Sequence, residues 1–162
     1  MKQLSTAQRV QVIAALVEGN SINSTVRMTG VSKPTILKLI VDLGTACQNF
    51  HDDHVMNLAC KRIECDEIWS FVPCKEKHLS KEKRGQPGYG DVWTWTGLCA
   101  ETKLMVNWLV ADRTKESANI FMQSVANRVN HRIQLTTDGL RSYLDAVYNA
   151  FGNNSTYQNV RA

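Results

Sequence analysis

The sequence predicts an α/β protein in two parts, a short helical unit followed by a mixed strand-and-helix domain. Three observations carry that expectation. Gly19, Gly30 and Gly44 divide the first 45 residues into stretches with helical spacing. After Cys60 the apolar period shifts toward that of strands. Two aspartates, Asp66 and Asp138, sit in runs that otherwise read as strand. A carboxylate buried there without a partner is costly, so a cation is expected beside it.

In the first part, Ser5 or Thr6 caps a helix whose apolar stripe is Val10, Ile13 and Val17, and Gly19 stops it. Ser21 caps a second helix with Ile22 and Val26 on one face, ending at Gly30. Val31 plugs the following turn, and Ser32 caps a third helix with Pro34 in its first turn. Ile36, Leu39 and Ile40 are expected to face inward, and Gly44 to close the unit. A glycine between short helices, a buried residue after it and a capped third helix describe a helix-turn-helix over residues 1–45. The outer face of its third helix carries Lys33, Thr35 and Lys38, which suit phosphate and base-edge contacts with double-stranded DNA. A plain three-helix packing module with a solvated lysine face is the alternative. Residues 46–60, with the polar cluster His51-Asp52-Asp53-His54, read as a linker, in the form of an irregular helix.

Residues 61–162 form the second part. Ile63–Val72 reads as a first strand, Asp91–Thr102 as a second and Lys103–Asp112 as a third, with a tight turn around Glu101–Lys103. Thr114 caps an amphipathic helix over Glu116–Val129, with Ile120, Phe121, Val125 and Val129 at helical spacing. Ile133–Asp138 is a fourth strand and Arg141–Phe151 a second helix, carrying Tyr143, Leu144, Val147 and Tyr148. Three antiparallel strands, a helix, a parallel strand and a helix give the order of a ribonuclease-H-like fold. Its first and fourth strands are neighbours, so Asp66 and Asp138 would meet and form half of a site for Mg²⁺ or Mn²⁺. Glu67 points to the opposite face of the strand and is expected either to support the site from outside it or to be structural. Between the first two strands, Cys74–Gly90 carries Lys81, Lys83 and Arg84 and ends in Gly85-Gln86-Pro87-Gly88-Tyr89-Gly90. A solvated loop and a phosphate-backbone contact both suit that composition.

Composition narrows the classes further. The chain has 162 residues, 43% hydrophobic content and a net charge of +4, which allows one ordinary core plus a small appendage and is compatible with nucleic acid. Neither a membrane span nor a signal segment is legible, so a cytoplasmic location is expected. The five cysteines lack a Cys-x-x-Cys pair, which argues for reduced thiols. A zinc site drawn from His51, His54, Cys60 and Cys65 would match no standard finger spacing.

The helix-turn-helix is followed by Asp66-Glu67-Ile68-Trp69-Ser70-Phe71, Pro87-Gly88-Tyr89-Gly90-Asp91-Val92-Trp93-Thr94-Trp95, Asp112-Arg113-Thr114 and Thr137-Asp138-Gly139-x-x-x-Tyr143. That succession, from about Leu4 to Phe151, resembles the insertion-sequence-one type of bacterial transposase. The resemblance implies an Asp-Asp-Glu catalytic triad on a ribonuclease-H-like core, with Asp66 as the first aspartate and Asp138 as the second. It also implies two Mg²⁺ ions about 4 Å apart for an in-line displacement at DNA. Insertion-sequence ends would be the partner, and a homo-oligomer the working form. One departure stands out: from Gly139 to Ala162 the only acid is Asp145, too early to be the third carboxylate. The polar stretch Gly152–Ala162 ends where a fifth strand should be, so the chain reads as truncated, its ribonuclease-H-like domain incomplete and its strand-cleavage activity lost. Two other readings stay open: a DNA-binding regulator that competes with intact transposase, and a remnant without function.

Overall fold

A computed structural model describes residues 4–152 and 155–159, the last five by backbone alone. The chain divides into two compact units, residues 1–54 and 55–162.

The first unit holds three helices, α1 (Thr6–Val17), α2 (Ile22–Thr29) and α3 (Lys33–His54). Ser5 caps α1 through a reciprocal pair: its hydroxyl accepts from the Gln8 N–H, and its own N–H donates to Gln8 Oε1. Ser21 caps α2 by accepting from the Ser24 N–H, and Gly30 ends that helix in the left-handed region at φ 69°. Val31 is buried as expected and joins Val12 and Ile36 in a small core flanked by Leu4, Leu16, Ile22, Val26 and Leu39.

Two expectations for this unit are corrected. The inward residues of α1 are Val12 and Ala15, whereas Val10 and Val17 are 58% and 75% exposed. In so small a core only one narrow stripe of the helix can be covered, and apolar residues lay on both sides of it. Nor does Gly44 close α3, which runs ten residues further, to His54. Gly44 is not among the glycines with positive φ, and a glycine that keeps helical dihedrals costs only about 1 kcal/mol. Ile40, expected inside, is 38% exposed.

The second unit is a five-stranded sheet in the order β3-β2-β1-β4-β5. Its strands are β1 (Arg62–Val72), β2 (Gly90–Cys99), β3 (Met105–Ala111), β4 (Ile133–Thr137) and β5 (Ser155–Asn159). β1 and β2 are antiparallel, as are β2 and β3, whereas β4 runs parallel to β1 and β5 parallel to β4. Helix α4 (Lys115–Arg128) connects β3 to β4, and α5 (Ser142–Phe151) connects β4 to β5. This mixed α/β arrangement is ribonuclease-H-like. The stretch expected to stop short of a fifth strand therefore supplies one: Ser155–Asn159 pairs in register with Ile133–Thr137. Its polar sequence is a weak strand former, and the parallel partner provides the backbone bonds.

Thr114 caps α4 by accepting from the Ser117 N–H. The core lies between the sheet and the two helices, with Ile63, Cys65, Trp95, Val106, Phe121, Met122, Leu135 and Tyr143 all buried. Trp95 is fully buried, edge-on to Tyr143 at 5.6 Å between centroids and tilted against Phe121 at 6.0 Å. Ile120, Leu144 and Tyr148, expected on the inner stripes, are exposed instead. The opposite sheet face is open among the described residues: Ile68, Thr94 and Val110 form one cross-strand row there, and Ile68 and Val110 are 60% and 61% exposed. No described helix is long and apolar enough to cross a membrane.

Candidate functional site

The parallel pairing of β1 with β4 builds the centre of the site. Its last register pair is Cys65 with Thr137, both buried on the helix-covered face. Asp66, still within β1, and Asp138, just past the end of β4, each follow one residue of that pair in the chain. Asp66 accepts the Glu67 N–H on Oδ1 at 2.8 Å, and its carbonyl accepts from Thr96 Oγ1 on the neighbouring strand at 3.1 Å. Asp138 sits before Gly139, whose φ is 100°, and accepts the Leu140 N–H on Oδ1 at 3.3 Å.

The expectation that both aspartates are buried is overturned, because each is exposed. Helices α4 and α5 cover one face of the sheet, and side chains alternate along β1, so Asp66 falls on the other side. The buried acid is Glu67, whose side chain is 1% exposed. It does point away from Asp66, as its position on the strand requires, yet it is not remote from the site. Arg113 donates Nε and Nη2 to Glu67 Oε2 at 3.0 and 2.9 Å, and the same Nη2 lies 3.5 Å from Asp138 Oδ2. Burial raises the Glu67 pKa above the ordinary carboxylate value, against the lowering effect of Tyr143 and Arg113. Burial, together with the negative charge of the neighbouring acids, likewise pushes the Tyr143 phenol far up.

Sequence reasoning passed over Arg113, although Asp112-Arg113-Thr114 stood out as a motif. Its guanidinium lies 4.6 Å from the Trp93 ring centroid. The turn that presents it is fixed on both sides. Trp95 Nε1 donates to the Asp112 carbonyl at 3.3 Å, and Thr114 caps the next helix. A cleft opens beside it, walled by Gly85–Tyr89, Trp93, Asp112 and Arg113.

Lys81, Lys83 and Arg84 do not line that cleft. They are exposed in the turns before it, with Lys83 Nζ 5.0 Å from the Tyr89 ring centroid and Arg84 Nη2 donating to the Lys77 carbonyl at 3.5 Å. In the first unit, Lys33 is exposed at the start of α3. Lys38 is exposed too, but paired with Asp42 one turn on at 3.0 Å, and Thr35 is half-buried with its hydroxyl 2.8 Å from that of Ser32.

Asp66 and Asp138 fit a hard divalent cation by donor type: carboxylate oxygens on or beside neighbouring strands, exposed enough for water to complete the shell. Among the described residues no group of three His, Cys, Asp or Glu side chains is placed to hold a metal. Asp145 is turned to Lys115, at 3.6 Å.

No protein-family profile matches the chain, and no curated protein matches it. Among solved structures, it is similar to the Mos1 strand transfer complex, with a TM-score of 0.40, 11% identity, and coverage of 100% of this chain and 60% of that one. It is also similar to the piggyBac transposase synaptic complex with hairpin DNA, at TM-score 0.46 and 12% identity over 94% of this chain and 40% of that one. The Mos1 mariner paired-end complex with Mn gives 0.39 and 10%, over 97% and 60%. The chain thus spans about 60% of the Mos1 chains and less of the piggyBac chain. The fold assignment rests on strand order and helix placement rather than on these scores.

Proposed function

We propose that this chain is a transposase-type protein that binds double-stranded DNA through its N-terminal helices and carries a two-carboxylate site for Mg²⁺ or Mn²⁺ on its sheet. The observation that carries the reading is the placement of Asp66 within β1 and of Asp138 just past the end of β4, its parallel neighbour in a ribonuclease-H-like sheet. Asp66 and Asp138 would hold the cation. When bound, a divalent ion there supplies Lewis-acid stabilisation of charge on phosphate oxygens. The chain's own contribution is to fix both carboxylates: Asp66 by the Glu67 N–H, Asp138 by the Leu140 N–H and Arg113. Lys33, Thr35 and Lys38 on α3 would meet the duplex in a major groove, and the basic segment with Lys81, Lys83 and Arg84 its phosphates.

A second reading is a DNA-binding competitor of a complete transposase, which would need the exposed Lys33 and Lys38 of α3 and neither aspartate.

Binding of a short random-sequence duplex, followed by fluorescence anisotropy between about 50 and 200 mM salt, tests both readings. Affinity that falls steeply with salt and is lost on replacing Lys33 and Lys38 with alanine supports DNA binding by α3. Unchanged binding in that variant removes it. Metal-dependent nicking of the duplex that disappears in Asp138→Asn would select the enzyme over the competitor.

A further inference from the structure

We propose that Arg113 is a positioning residue that holds the Asp138 carboxylate in place, with the buried Glu67 and the Trp93 ring as its anchors. The inference rests on the reading of Asp66 and Asp138 as a cation site and deepens it.

The case begins with how little freedom Arg113 has. Two of its N–H groups converge on one oxygen of a carboxylate that is 1% exposed, so the guanidinium edge is set by the core rather than by solvent. Trp93 covers one of its planar faces at 4.6 Å. The backbone on either side is pinned, at Asp112 by the fully buried Trp95 and at Thr114 by the helix cap.

Asp138, by contrast, belongs to no strand. It follows β4, in a bend before a glycine, where the ladder no longer restrains it. Its two oxygens are fixed separately, Oδ1 by the Leu140 N–H at 3.3 Å and Oδ2 by Arg113 Nη2 at 3.5 Å. Without Arg113 only the bond to Leu140 in its own loop remains of that pair.

Glu67 then has a reason to be buried. A carboxylate under the sheet end is unfavourable by itself, and its raised pKa reflects that burial. Placed there, it draws the guanidinium down and leaves the opposite side of Nη2 toward Asp138. Lysine could not replace Arg113, since one ammonium lacks the planar fork that meets both carboxylates.

The test uses the full chain and two readouts. Amide exchange at Leu140 reports the loop bond directly, with Phe121 in mid-α4 as internal reference. Mn²⁺ affinity, from the resonance signal of free Mn²⁺, reports the consequence at the site. Arg113→Ala strands Glu67 without its partner and risks misfolding, so the Glu67→Gln, Arg113→Ala double variant is measured beside it. The proposal predicts exchange at Leu140 about ten times faster in the double variant and in Arg113→Lys, with Phe121 unchanged, and Mn²⁺ affinity about 10–100-fold weaker. Wild-type exchange at Leu140 in the double variant would overturn it, since Arg113 would then merely neutralise Glu67. Absence of Mn²⁺ binding in the unmodified chain would instead refute the metal reading, and Leu140 exchange alone would still decide the role of Arg113.

Discussion

Replacing Trp95 tests whether the core and the site are one construction. The indole is fully buried, packs edge-on to Tyr143 and against Phe121, and donates to the Asp112 carbonyl at 3.3 Å. An aromatic side chain of this kind buries roughly 150–250 Å², which at about 25 cal/mol per Å² corresponds to about 4–6 kcal/mol of transfer free energy. Measured costs of Trp→Ala in cores run to about 3–5 kcal/mol, a large share of the roughly 5–15 kcal/mol of a whole domain. Trp95→Phe is the more informative change. It keeps most of the ring but removes the N–H, leaving the Asp112 carbonyl short of a donor and a gap beside Tyr143. About 1–3 kcal/mol should be lost. In urea, followed by far-ultraviolet circular dichroism, that is a midpoint drop on the order of 1 M, with the slope unchanged. A Trp95→Phe protein within about 0.5 kcal/mol of the parent would refute the reasoning, because the indole bond would then contribute nothing to holding the turn that presents Arg113.

Three further outcomes follow from the same geometry. Gly90→Ala should be destabilising: φ there is +91°, which side-chain-bearing residues rarely adopt, and an added Cβ would crowd the buried Leu79 side chain; a denaturation midpoint equal to the parent's would contradict this. Asp42→Asn frees Lys38 from its ion pair on α3 and should tighten duplex binding several-fold at low salt, an effect that shrinks as salt is raised; weaker binding would count against Lys38 as a phosphate contact. The Glu101 carboxyl is held below its ordinary value chiefly by Arg62, so its contribution to stability is present above that ordinary value and fades as pH falls through the lowered one. In Arg62→Gln a carboxyl-carbon titration should show Glu101 moving up toward 4.5; no movement would mean the ion pair at 3.0 Å is not formed in solution.

Much of the architecture was legible in local chemistry. Ser5, Ser21, Gly30 and Thr114 mark helix ends through hydrogen bonds that need only neighbours in sequence, and each does so in the structure. The placement of β1 beside β4 was legible too, from strand order alone. What failed depended on tertiary context. Gly44 could be a stop or an interior residue, and only its φ distinguishes them. Ser155–Asn159 has little strand preference of its own and is a strand because β4 lies beside it. Strand alternation put Glu67 on the face opposite Asp66, yet nothing local said which sheet face the helices would cover. For the same reason Arg113 stayed unassigned: its two carboxylate partners lie 46 and 25 residues away in sequence.

The account stands most directly on Asp66 and Asp138 forming one cation site, and Mn²⁺ binding to the full chain measures it. One Mn²⁺ site should titrate in the unmodified protein, and Asp66→Asn and Asp138→Asn should each weaken it by at least about tenfold while unfolding stays cooperative. A site that keeps its affinity when either aspartate is replaced would contradict the claim, and with it the transposase-type reading of the sheet.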